Sequence, residues 1–197
     1  MALPVQLQNK MRFLIVLNLS GLVLFSCSEK KLIPTITQNA DSSGWKTRLG
    51  KLYYKDSLYS GKQYALYPSG DSAYSAFYYE GEPEGFRRNW YSNGKLREQR
   101  FFVYGKQEGT QKGWYENGKQ SFEYNFKNDV YEGDCFEWYE DGNLSKHFQY
   151  KNGHESGRQI WKNQDGSLRA NYEVRNGKIY GNMGTKNCAS PKTDLNL

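Results

Sequence analysis

Aromatic and polar residues alternate along most of this chain in short runs separated by glycine-bearing turns. Over 122–127, Phe122, Tyr124 and Phe126 fall on one side and Glu123, Asn125 and Lys127 on the other. The same split sets Phe148 and Tyr150 against His147, Gln149 and Lys151. A period of two describes a β-strand with one face half-buried and the other solvated. Related runs place Tyr74, Ala76 and Tyr78, then Arg100 and Phe102, then Tyr172 and Val174 on the apolar side. The runs recur on a fixed interval. Glycines at 61, 85, 109, 133, 157 and 181 are 24 residues apart, as are those at 70, 94, 118, 142 and 166. A third series runs through Gly81, Gly105, Gly153 and Gly177, with Asp129 at the missing step. Such self-similarity marks a repeat array.

The second series sits in the dipeptides Ser69-Gly70, Asn93-Gly94, Asn117-Gly118, Asp141-Gly142 and Asp165-Gly166. Asn-Gly and Asp-Gly between aromatic runs predict a tight type I′ hairpin turn with positive φ at both central residues. The other two series bracket a second, slightly longer connection. Each unit is therefore two short strands and two turns. The first strand ends in Leu66-Tyr67, Trp90-Tyr91, Trp114-Tyr115 or Trp138-Tyr139; in the fifth unit Trp161 comes one residue early, predicting a bulge or a polar cap. The stretch 45–59 fits the back half of a unit, with Leu52 and Tyr54 at the aromatic positions. The expected fold is all-β. It is an elongated single-layer antiparallel β-meander of about five 24-residue hairpin repeats over 45–185. About eleven strands at ~4.8 Å each give a sheet roughly 50 Å long, in which each unit touches mainly its neighbours.

Composition fits thin β-structure. Of 197 residues, 10 are Phe, 5 Trp, 17 Tyr and 20 Gly, and the mean hydropathy is −0.91. A thick aliphatic core, and with it a doubly wound α/β enzyme, is disfavoured. No series of apolar runs of about 20 residues exists, which excludes a multi-span membrane protein. The aromatic content argues against disorder.

The N-terminus carries a separate signal. Lys10 and Arg12 precede a 13-residue apolar run over 13–25, short for a membrane span and suited to a signal-peptide core. It closes on Leu24-Phe25-Ser26-Cys27, which resembles the lipobox of bacterial lipoproteins. The resemblance implies cleavage before Cys27, acylation there, and a protein held to a bacterial envelope membrane, facing the periplasm or the cell surface. Met1 and Met11 are both open as the start. Residues 1–26 are expected to be the signal peptide, 27–44 the acylated end and a polar tether, and 186–197 a polar tail. Losing 1–26 removes Lys10 and Arg12 and no acids, so the net charge falls from +6 to +4. That excess does not call for nucleic acid as a partner.

The unit Gly-x-x-x-x-Trp-Tyr-x-x-Gly, clearest in Gly109-Thr110-Gln111-Lys112-Gly113-Trp114-Tyr115-Glu116-Asn117-Gly118-Lys119, resembles the MORN repeat in its bacterial variant form. The likeness covers about 45–184. It implies elongated hairpin sheets acting as scaffolds or interaction surfaces, sometimes near membranes. Bacterial relatives are often labelled antitoxin-like. That role suits an exported protein only as immunity against a toxin acting in the envelope.

Chemistry-bearing clusters are sparse. His147 and His154 lack a third ligand at metal spacing, and both read as surface residues. Cys135 and Cys188 lie 53 residues apart, too far along the array to pair unless the sheet curls back. Glu80, Glu82, Glu84, Glu108, Glu132 and Glu155 fall in turns and read as solvated. No nucleophile–base pair or phosphate loop occurs, so neither catalysis nor a cofactor is expected. The candidate contacts are Tyr67, Tyr91, Tyr115 and Tyr139. Adjacent strand residues face opposite ways, so this row lies opposite the tryptophans and serves either inter-repeat packing or partner binding. The expected function is a non-enzymatic, membrane-anchored scaffold that binds an envelope protein. A glycan, met by stacked rings, is the alternative partner.

Overall fold

A computed structural model describes residues 31–184, which fold as strands, turns and short links without a helix. The strands are β1 (Thr37–Asn39), β2 (Trp45–Arg48), β3 (Lys51–Tyr54), β4 (Ser57–Leu58), β5 (Gly61–Leu66), β6 (Ser72–Tyr79), β7 (Glu82–Pro83), β8 (Gly85–Trp90), β9 (Leu96–Val103), β10 (Lys106–Gln107), β11 (Gly109–Trp114), β12 (Gln120–Lys127), β13 (Val130–Trp138), β14 (Leu144–Lys151), β15 (His154–Glu155), β16 (Gly157–Lys162), β17 (Leu168–Arg175) and β18 (Lys178–Asn182). One open sheet runs β1-β5-β6-β8-β9-β11-β12-β13-β14-β16-β17-β18. The two-residue strands β7, β10 and β15 extend the pairing of β6, β9 and β14. From β5 to β18 every pairing is antiparallel between chain neighbours, so the expected meander holds there.

The N-terminal end departs from the expectation. Residues 45–58 do not extend the meander; β2, β3 and β4 form a separate three-stranded antiparallel sheet. The place beside β5 is taken by β1, in parallel, with Thr37 opposite Lys62 and Asn39 opposite Tyr64. The tether expected over 27–44 therefore contains a strand. Displaced from the sheet edge, the hairpin packs its rings onto the sheet instead. Tyr59, Ala76 and Tyr78 are buried there, with Trp45, Leu52, Tyr54 and Tyr74 against them. Trp45 lies 4.6 Å from Tyr54 and 4.8 Å edge-on from Tyr59. The Leu52 N–H donates to Gly81 O, and Gly81 N–H donates to Tyr59 O. These bonds tie the small sheet to the turn after β6. Burial of several aromatic side chains at one place gives this corner a core that a flat strand at the edge would lack.

The two turn types exchange places relative to the sequence reading. The two-residue type I′ turns are the connections after the second strand of each unit. Tyr104 and Gly105 have φ of 50° and 76° between paired Val103 and Lys106. Asn152-Gly153 and Asn176-Gly177 repeat the geometry. The Asn-Gly and Asp-Gly turns are three-residue loops with positive φ at the glycine alone. In the third unit Gly118 N–H donates to Tyr115 O at 2.8 Å and Tyr115 N–H to Lys119 O at 2.8 Å. The Asn117 side chain accepts from Lys119 N–H at 2.9 Å, which is why Asn, Asp or Ser stands before this glycine. A register shift follows at the same step of every unit, between Ala65/Leu66, Asn89/Trp90, Gly113/Trp114, Glu137/Trp138 and Trp161/Lys162. The bulge expected in the fifth unit is thus general. What is particular to that unit is that Trp161 stands one place before the shift and pairs with Ala170 and Lys146, on the face opposite to the other tryptophans.

Gly113 lets the Phe122 ring lie over the backbone: an added Cβ would come within 2.1 Å of Phe122 Cε1. Gly113→Ala is expected to lower stability by about 1–3 kcal/mol in urea unfolding and to change the near-UV circular dichroism. Gly133→Ala meets open space at φ +81°. It is expected to cost about 1–2 kcal/mol through backbone strain and to leave the aromatic signal unchanged.

Candidate functional site

The tyrosine row has a defined geometric role. Tyr67 Oη donates to Trp90 O at 2.6 Å, Tyr91 Oη to Trp114 O at 2.8 Å, Tyr115 Oη to Trp138 O at 2.6 Å, and Tyr139 Oη to Lys162 O at 2.8 Å. Each ring stands at the start of a hairpin turn and reaches to the end of the first strand in the following unit. All four rings are half-buried. Their polar ends are therefore engaged within the array.

The opposite margin of the sheet carries a second ladder. Glu84 Oε2 accepts from Tyr104 N–H, Glu108 Oε2 from Asn128 N–H and Glu132 Oε2 from Asn152 N–H, at 2.9, 2.9 and 2.7 Å. Ser60 Oγ does the same for Glu80 N–H. These three glutamates, read from sequence as solvated, satisfy the turn amide of the next unit.

Two residues passed over in the sequence hold the interior. Gln111 and Gln159 are fully buried. Gln111 Oε1 accepts from Phe101 N–H at 2.7 Å, and its Nε2 donates to Phe101 O and Glu108 O. Gln159 does the same to Gln149 N–H and O. Each amide oxygen serves the strand N–H, while the carbonyl of the same residue also accepts from the backbone N–H of Glu108 or Ser156. The signal was present: Gln63, Gln111 and Gln159 stand 48 residues apart, two periods.

One face of the sheet is a ladder of rings. Phe122 stacks on Tyr124 at 4.7 Å, Tyr124 meets Tyr131 edge-on at 5.7 Å, and Tyr131 stacks on Tyr150 at 4.9 Å. Arg87 lies over Phe102 at 4.6 Å. Beneath the ladder Tyr124 Oη donates to Glu137, which pairs with Lys146 at 2.7 Å. Burial, reinforced by Glu155, pushes the Tyr150 hydroxyl up to about 12. Burial, with the bond to Glu155, does the same for Tyr172. Burial likewise raises the Cys135 thiol. These groups stay protonated at neutral pH, so the thiol is a packing group here rather than a nucleophile. A cavity of about 50 Å³ among Tyr124, Cys135, Lys146 and Tyr150 has room for water and is far below metabolite size. Beyond the N-terminal corner, the substantial contacts between elements are all between strand neighbours. The ladder thus has no second layer among the described residues.

The other face is polar. His147, read as a plain surface residue, stacks on Phe136 at 4.4 Å and places Nε2 2.7 Å from Asp134 Oδ1. His154 is exposed. Among the described residues no three His, Cys, Asp or Glu side chains converge as a metal site. Cys27 and Cys188, the expected lipid attachment and the second thiol, lie outside the described residues. No family model matches the chain, and no curated protein matches it either.

The hydroxyl of each turn tyrosine is worth about 0.5–1.5 kcal/mol. Tyr115→Phe is expected to lower the unfolding free energy by that amount. Tyr91→Phe, Tyr115→Phe and Tyr139→Phe together are expected to lose about 2–4 kcal/mol in urea unfolding. If the hydroxyls were idle, the triple variant would match the parent.

Hydrogen bonds from His147 and then Gln149 hold the Asp134 carboxyl below its ordinary range. A depressed carboxyl stabilises the fold above its unfolded pKa, and that contribution is lost as pH falls through the folded value. The urea midpoint is expected to decline as pH drops from about 5 toward 2. In Asp134→Asn the decline is shallower, while the difference from the parent is largest at neutral pH.

Proposed function

We propose that this protein is a non-enzymatic repeat scaffold of the bacterial cell envelope, held to a membrane by acyl chains on Cys27, whose ring ladder binds a partner protein. The observation that carries this reading is the half-buried row Phe122, Tyr124, Tyr131 and Tyr150, on a sheet face with no second layer among the described residues. Aromatic residues are enriched at protein interfaces, and a contiguous row of half-buried rings leaves apolar surface that a partner would cover. The rings are already ordered by stacking, so little side-chain freedom is lost on binding. The 24-residue units are of MORN type in this reading, and the hairpin meander with its fixed period supports it. Tyr67, Tyr91, Tyr115 and Tyr139 contribute through the half-buried parts of their rings and chiefly keep the surface in register. The anchor rests on the lipobox-like stretch ending in Cys27; two or more acyl chains make such attachment stable.

A photocrosslinking residue placed at Tyr150, on the ring ladder, and at Gln149, on the polar face, separates the surfaces in cells. Crosslinks from Tyr150 and none from Gln149 are expected; the reverse pattern would sink the assignment. Labelled palmitate should enter the parent and not Cys27→Ala. Equal incorporation in the two would overturn the anchor and leave the contact surface standing.

A further inference from the structure

We infer that the polar face carries, at its N-terminal end, a binding groove for an acidic saccharide. The groove has a volume of about 460 Å³ and is lined by Tyr64, Phe77 and Trp90 together with Lys62, Arg88 and Ser75. That volume falls within the range of small-molecule sites, about 300–1,000 Å³. The strand register places these residues side by side. Lys62 faces Phe77 across β5 and β6, Tyr64 faces Ser75, and Ser75 faces Arg88 across β6 and β8.

Charge sets this end apart from the third and fourth units of the same face. In the third unit Lys112 is neutralised by Glu123 at 3.1 Å, and in the fourth Asp134 is met by His147 at 2.7 Å. The row that supplies Glu123 and His147 supplies Ser75 and Gln99 at the groove. Arg88 accordingly bonds Gln99, an uncharged partner, through Nε at 2.8 Å and lies over Phe86 at 4.5 Å. Neither Lys62 nor Arg88 has a carboxylate within 4.0 Å among the described residues. No carboxylate lines the groove. Two cations without anions, on one wall, call for an anionic ligand.

The rings and the backbone narrow the class. The floor strands β5, β6 and β8 are hydrogen-bonded on both sides, so the groove offers no free ladder for an added peptide strand. Three aromatic side chains with a hydroxyl between them suit a ring that is apolar on its C–H face and polar at its rim. A sugar bearing a carboxylate combines these demands: its face stacks on the rings, its hydroxyls meet Ser75, and its carboxylate reaches Lys62 and Arg88.

The test is a titration of the purified full chain with trigalacturonate, maltotriose and hexaglutamate, followed by tryptophan fluorescence and by the heat of mixing. Trigalacturonate is expected to bind saturably and more tightly than the other two. Lys62→Gln or Arg88→Gln is expected to weaken it by about tenfold, the loss of one charge-assisted bond. Lys178→Gln, at the far edge strand, removes the same charge and leaves the affinity unchanged. Urea unfolding confirms that the Lys62→Gln chain is folded. Equal binding of maltotriose, equal binding of hexaglutamate, no saturable binding of trigalacturonate, or full affinity in folded Lys62→Gln would each overturn the inference. The groove shares no residue with the ring ladder, so its failure leaves the scaffold reading untouched, and the converse also holds.

Discussion

Each unit of this protein holds its successor through the same few atoms, and the rest of the structure depends on that coupling. A single-layer sheet has little interior, so it cannot rely on burial as a two-layer domain does. Here the strand ladder is fastened along both margins. On one, a tyrosine hydroxyl crosses to the carbonyl that ends the next unit's first strand. On the other, a glutamate carboxylate receives the next unit's turn amide. Because both ladders repeat every 24 residues, the turns must be of constant length, and the glycines follow from that.

The same coupling decides what is left for function. Groups that looked available in the sequence are used internally: the tyrosine hydroxyls and the glutamates Glu84, Glu108 and Glu132. What remains uncommitted lies on the two faces. The ring ladder is stacked and half-buried, with no second layer over it among the described residues. The polar face pairs Lys112 with Glu123 and Asp134 with His147 in the middle of the array and leaves Lys62 and Arg88 without a carboxylate partner at the N-terminal end.

The N-terminal corner shows how the interruption is made. Continuing the meander through 45–58 would leave Trp45, Tyr54 and Tyr59 on a bare edge strand. Turning the hairpin onto the sheet buries Tyr59 and Tyr78 together, and the short parallel β1 occupies the edge in its place. The result resembles the capping of solenoids, where a terminal unit departs from the consensus to close the stack. At the other end β18 is exposed at every residue.

The sequence alone determined the strands, their alternation, the period and the order of the meander, because those depend on side-chain type at fixed local spacing. It also determined that Phe122, Tyr124 and Phe126 share a face. Three things were decided only by the tertiary structure. Which connection takes the type I′ turn followed from where the strand ladders close, since a glycine pair such as Asn117-Gly118 is compatible with both loop lengths. The duties of Tyr115, Glu108 and Gln111 depend on backbone atoms of a neighbouring strand or the next unit, 10–23 residues away, and no local pattern encodes an acceptor at that distance. The place of 45–58 depends on β1 lying beside β5 and on the hairpin's rings packing onto the sheet. That packing buries rings, and burial is a property of the assembled fold.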